Sequence, residues 1–114
     1  PLQALVLMND VQYIEAARAL ACRIMKESGP DARKRIAHAC MLALGRPPRP
    51  AEEAALRQHF EAQWADYRAT PESAMALLDT GESNYETTLD PAELAAWTMV
   101  ASVLLNTDAA VTQY

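Results

Sequence analysis

Histidine, cysteine and clustered charge are where chemistry would begin in this chain. His38 and His59 are its two histidines, and they fall on different predicted helices. A metal site needs several converging ligands, and neither HxxxH nor HExxH spacing occurs. Cys40 follows His38 by two residues, which places the two side chains about 200° apart around a helix, on nearly opposite faces. The expectation is solvated or edge histidines. Covalent haem attachment is excluded by the lack of CxxCH, which leaves open only a histidine or methionine that ligates a haem held elsewhere.

Cys22 and Cys40 are the two cysteines, too few for a disulfide scaffold and without CxxC spacing. Folding the chain back at Gly29 brings them to axial heights about one helical turn apart. Either they cross-link, which needs Cα atoms within about 7 Å, or both pack as small hydrophobes, the favoured reading.

Arg33-Lys34-Arg35 is the densest basic run, and with Arg46 and Arg49 it forms a candidate patch for a phosphate or an acidic partner. Such a run is more often a solvated first turn, although positive charge is least favourable at that end of a helix. Glu52, Glu53, Glu61, Asp66, Glu72 and Glu93 supply carboxylates, but an acid/base pair needs surroundings that split its pKa values. First-turn placement explains Glu52, Glu53, Glu72 and Glu93 as partners of helix dipoles. Phe60, Trp64, Tyr67 and Trp97 have the makings of an aromatic pocket, yet at helical spacing they read as core first. No nucleophile elbow, glycine-rich phosphate loop or Ser/His/Asp pattern is present. The sequence therefore assigns no catalytic residue, no cofactor-binding residue and no metal ligand.

The elements that would position these groups are helices. The chain has 114 residues, 51% hydrophobic, with three Gly and seven aromatic side chains. Its Ala-rich composition favours close-packed helices, and its length suits a single domain, residues 1–114. The net charge of −5 divides unevenly. Residues 1–50 carry eight basic and four acidic side chains and residues 51–114 two basic and eleven acidic ones, leaving +4 and −9. An acidic total argues against nucleic acid as the main partner. No apolar run is long enough to span a bilayer, and no signal-peptide pattern is visible.

Four breaks divide the chain. Ile14, Ala17, Leu20, Ala21 and Ile24 repeat at helical spacing, with Glu15, Arg18 and Lys26 mostly on other faces, so the first helix is predicted from about Asp10 to Lys26. Asn9, with Gln12 three residues on, suits its N-cap. Ser28-Gly29-Pro30 ends it. A second helix is predicted over Ala32–Leu44, capped by Asp31 and stopped by Gly45, with Ile36, Ala39, Cys40, Ala43 and Leu44 buried. Arg46-Pro47-Pro48-Arg49-Pro50 is a stiff connection whose last proline opens the third helix, where Leu56, Phe60, Trp64 and Tyr67 share one face. Thr70-Pro71 is the cap and start of a short fourth helix ending near Asp79. Thr80–Leu89 reads as a loop. Asp90-Pro91 opens the last helix, with a stripe of Leu94, Trp97, Ala101, Leu104 and Leu105 and an added turn or fraying after Asn106. No segment alternates like a strand. The expected fold is all-α, a compact bundle of four to five helices.

Pro1-Leu2-Gln3-Ala4-Leu5 through Met8-Asn9-Asp10, then Leu44-Gly45-Arg46-Pro47-Pro48 with Pro50 and Glu52, then Trp97 and Leu104-Leu105-Asn106, carry a resemblance in their order. The chain resembles the end of a planctomycete-specific domain family of unknown function, domain of unknown function 1553. Val11, Cys40 and Ala110 replace the Pro, aromatic and Phe usual there. The resemblance implies a C-terminal piece of a longer, exported and therefore extracytoplasmic (periplasmic or secreted) multidomain protein. Upstream domains of the same chain are its expected partners, often including a c-type cytochrome domain and sometimes a carbohydrate-binding one. Two functions follow as expectations: a non-catalytic structural or docking module, or part of a haem-linked oxidoreductase or carbohydrate-processing enzyme whose catalytic residues lie mainly elsewhere. Leu2, Leu5, Val6 and Leu7 place the expected interdomain contact along Pro1–Met8. The sequence leaves the oligomeric state open.

Overall fold

In a computed structural model of the chain, residues 11–81 and 88–112 are described, and they form an all-α bundle of five helices. These are α1 (Val11–Glu27), α2 (Ala32–Leu44), α3 (Pro50–Ala69), α4 (Pro71–Leu78) and α5 (Pro91–Thr112). The Pro1–Met8 contact and the Asn9 cap expected from the sequence lie outside the described residues, as does most of the Thr80–Leu89 loop.

Gly29 and Gly45 adopt φ of +73° and +74°, the left-handed conformation that ends α1 and α2. At Gly45 the backbone N–H donates to the Met41 carbonyl. Asp31 and Asp90 cap as their positions suggest, accepting from the backbone N–H of Lys34 at 3.2 Å and of Glu93 at 2.9 Å. Thr70 does not: its side chain makes no cap bond, because the residue closes α3 and opens α4 at once. Its N–H donates to the Asp66 carbonyl and its own carbonyl accepts from Ser73.

The hub is α5, which packs against each of the other four helices. Leu94, Ala95, Ala96, Trp97, Thr98, Val100, Ala101, Ser102 and Leu104 are all buried, so the helix is enclosed on several sides rather than along the one stripe its spacing suggested. Ala95, Ala96, Thr98, Ala101 and Ser102 are small enough to admit close neighbours. Thr98 satisfies its buried hydroxyl by donating to the Leu94 carbonyl at 2.7 Å. Leu105 is only half-buried, and the helix runs on to Thr112. Around α5 stand Ala21, Ile24, Ile36, Cys40, Phe60 and Leu78 in one contiguous core. Among the described residues no helix is long and apolar enough to cross a membrane.

Candidate functional site

The structure disperses the basic run. Arg35, on α2, is 7% exposed, not solvated as a first-turn residue was expected to be. Its Nε donates to the Gly29 carbonyl, and its Nη1 lies 2.8 Å from Glu93 Oε2 at the start of α5. The guanidinium also sits 5.9 Å from the centre of the Trp97 ring. Arg46 forms a two-pronged pair with Glu52, at 2.7 and 2.8 Å, and the Arg49 backbone N–H donates to the same carboxylate at 2.9 Å. These bonds, Arg46 first and the Arg49 N–H second, hold Glu52 down at about 2. Arg33 reaches Glu53 at 3.5 Å, as does Arg57 at 3.7 Å. Glu52, Glu53 and Glu93 thus tie helices and turns together besides facing their own helix dipoles.

His38 is engaged as well. Its Nε2–H donates to Glu27 Oε1 at 2.6 Å, while Arg23 Nε donates to the other oxygen at 2.9 Å. The two bonds, His38's the larger influence, keep the Glu27 carboxyl below its ordinary range. His59 is half-buried on α3, with its Nε2 enclosed and without a hydrogen-bond partner among the described residues. The two histidines do not come together in a metal-binding group: among the described residues no three His, Cys, Asp or Glu side chains are placed to hold an ion. Both cysteines are free thiols. Cys40 is fully buried, and burial pushes its thiol up, with Glu52 adding to the rise.

Arg18 escaped the sequence reading. Placed by periodicity away from the core, it is 2% exposed, and its Nη1 donates to the carbonyls of Leu78 and Thr80, the latter at 3.0 Å. It therefore supplies positive charge to the C-terminal end of α4, whose sequence has no basic residue in its last turn. No local signal marks this role, since its partners are backbone atoms some sixty residues away.

The aromatic residues form a stack. Phe60 lies 4.1 Å from Trp97 and 5.4 Å from Trp64, centre to centre, with ring planes within 22° of parallel. Arg68 closes the outer end, 4.3 Å above Trp64. Trp97 and Phe60 are core, as expected, whereas Trp64 and Tyr67 pack against it half-exposed. Beyond the stack, the end of α3, the start of α4 and the start of α5 enclose a cleft of about 270 Å³, lined by Tyr67, Arg68, Pro71, Met75, Asp90 and Pro91. Burial, with Asp66 contributing, raises the Tyr67 phenol above its ordinary value. The cleft combines an apolar body with a cation, a phenol and a carboxylate.

Beside this geometry, comparison with known proteins supplies a family. A family model described as PSD1, protein of unknown function (DUF1553), matches residues 1–60, more than half of the 114-residue chain. The chain belongs to that family. The matched stretch of this PSD1-family chain takes in α1, α2, the proline-rich connection and the first half of α3, while the cleft lies beyond it. Neither a search of curated proteins nor one of solved structures gives a match.

Proposed function

We propose that this chain is a non-catalytic structural module, a rigid helical bundle that docks against the upstream domains of a larger exported, multidomain protein. The observation that carries the reading is the engagement of polar side chains between separate elements of the bundle. Arg18, Arg35, Arg46 and His38 each bridge separate elements of the bundle. Side chains so held fix the helices against one another and rigidify the scaffold. The extracytoplasmic setting and the upstream partners rest on the family resemblance.

The test is to produce the chain alone and joined to its upstream region, then measure haem spectra, metal content and glycan binding for both. The docking reading expects the chain alone to be empty and to associate with the separately produced upstream region. A stoichiometric haem, metal or glycan on the chain alone would overturn it in favour of a haem-linked oxidoreductase or a carbohydrate-processing enzyme.

A further inference from the structure

We infer that the cleft at the junction of α3, α4 and α5 is the docking socket for a polypeptide segment that presents a bulky apolar side chain beside a carboxylate. The inference rests on the docking reading and specifies its contact. Size argues first. At about 270 Å³ the cleft lies at the small end of ligand sites and has room for one large side chain of a partner.

Lining chemistry argues next. Ala74, 1% exposed, belongs to the buried core, while Met75 on the same turn is 41% exposed. A large thioether side chain left open beside prolines and a tyrosine is the composition of a contact patch, since Met, Tyr and Arg are enriched where proteins meet. Charge completes the case. Arg68 has no ion pair among the described residues, unlike Arg23, Arg33, Arg35, Arg46 and Arg57. Its guanidinium rests over Trp64, which orients it, and among the described residues no carboxylate engages its N–H donors. Asp90 already accepts the Glu93 N–H through one oxygen. The rim therefore pairs a helix-capping acid with an open cation, and the cation selects an acidic neighbour for the inserted side chain.

The experiment is a titration of the isotopically labelled 114-residue chain with the blocked peptide acetyl-Gly-Leu-Glu-Gly-amide, followed by amide chemical shifts. Shifts are expected at Tyr67 to Met75 and Asp90 to Ala92. Replacing the peptide Leu by Ala is expected to weaken binding about tenfold, and replacing its Glu by Lys roughly three- to fivefold. Arg68→Glu, with its fold verified by circular dichroism, is expected to reverse the preference between the Glu and Lys peptides, an effect that loss of packing alone does not produce. Absence of shifts at the cleft, equal binding of the Ala peptide, or an unreversed preference in R68E would each overturn the inference. Association with the upstream region that leaves the cleft amides unmoved overturns this socket but keeps the docking reading. Cleft binding of the peptide with no upstream association does the opposite.

Discussion

Arg35 on α2 reaches Glu93 on α5 across fifty-eight residues of chain, 2.8 Å from Nη1 to carboxylate, with the arginine side chain 8% exposed and the glutamate 27%. The same guanidinium holds the Gly29 carbonyl, so one side chain joins the α1–α2 turn to the start of the central helix. Removing the arginine leaves Glu93 and a turn carbonyl short of a donor. Arg35→Ala is expected to cost about 2–4 kcal/mol, read from urea unfolding. Glu93→Gln is expected to cost less, and a double-mutant cycle should show coupling between the two. Additive effects would mean that the pair contributes only through packing.

Arg18 makes the corresponding link at the far end of α4. Arg18→Met preserves much of its volume but leaves the Leu78 and Thr80 carbonyls without this donor. The expected loss is about 2 kcal/mol, with faster amide exchange concentrated at Leu77 to Thr80. Unchanged exchange there would count against the link.

Glu52 gives the acid side a specific signature. Its folded pKa, about 2, is depressed below the ordinary 4.5. A depressed carboxylate contributes stability that is fully present above about 4.5 and is lost as pH falls toward about 2. Carboxyl-carbon NMR should show Glu52 titrating near the lower value in the wild type and moving toward the ordinary one in Arg46→Ala. Glu27 shares the direction through His38 and Arg23, so His38→Ala should raise its midpoint. An unmoved Glu52 titration in R46A would show that Arg46 is not the cause.

The two thiols should separate cleanly by reactivity. Cys40 is fully buried and its thiol is pushed up, whereas Cys22 is half-buried. An aromatic disulfide reagent at neutral pH is expected to modify Cys22 first and Cys40 only as fast as the bundle opens. Equal rates in folded protein would contradict the burial.

Phe60 is the middle ring of the stack, between Trp97 and Trp64. Phe60→Ala is expected to destabilise by about 3–5 kcal/mol through the cavity it opens and to alter the fluorescence of both tryptophans. A smaller loss with unchanged emission would mean that the stack closes over the gap.

The sequence by itself determined the helices and their ends. Gly29, Gly45, Pro50, Pro71, Asp31 and Asp90 act through backbone conformation and hydrogen bonds within a few residues, so their roles need no partner from elsewhere. It also determined that Ile24, Ile36, Cys40, Phe60 and Trp97 face inward, because helical periodicity is a local property. Tertiary structure decided the rest. That α5 is enclosed rather than striped depends on four helices converging on it. That Arg18 and Arg35 are buried depends on carbonyls and a carboxylate supplied from distant positions, and a charge enters a core only when such partners exist. The cleft beside Arg68 belongs to this second class. Its walls come from three helices whose separate sequences carry only the marks of core and cap, and it exists because the end of α3 meets the starts of α4 and α5.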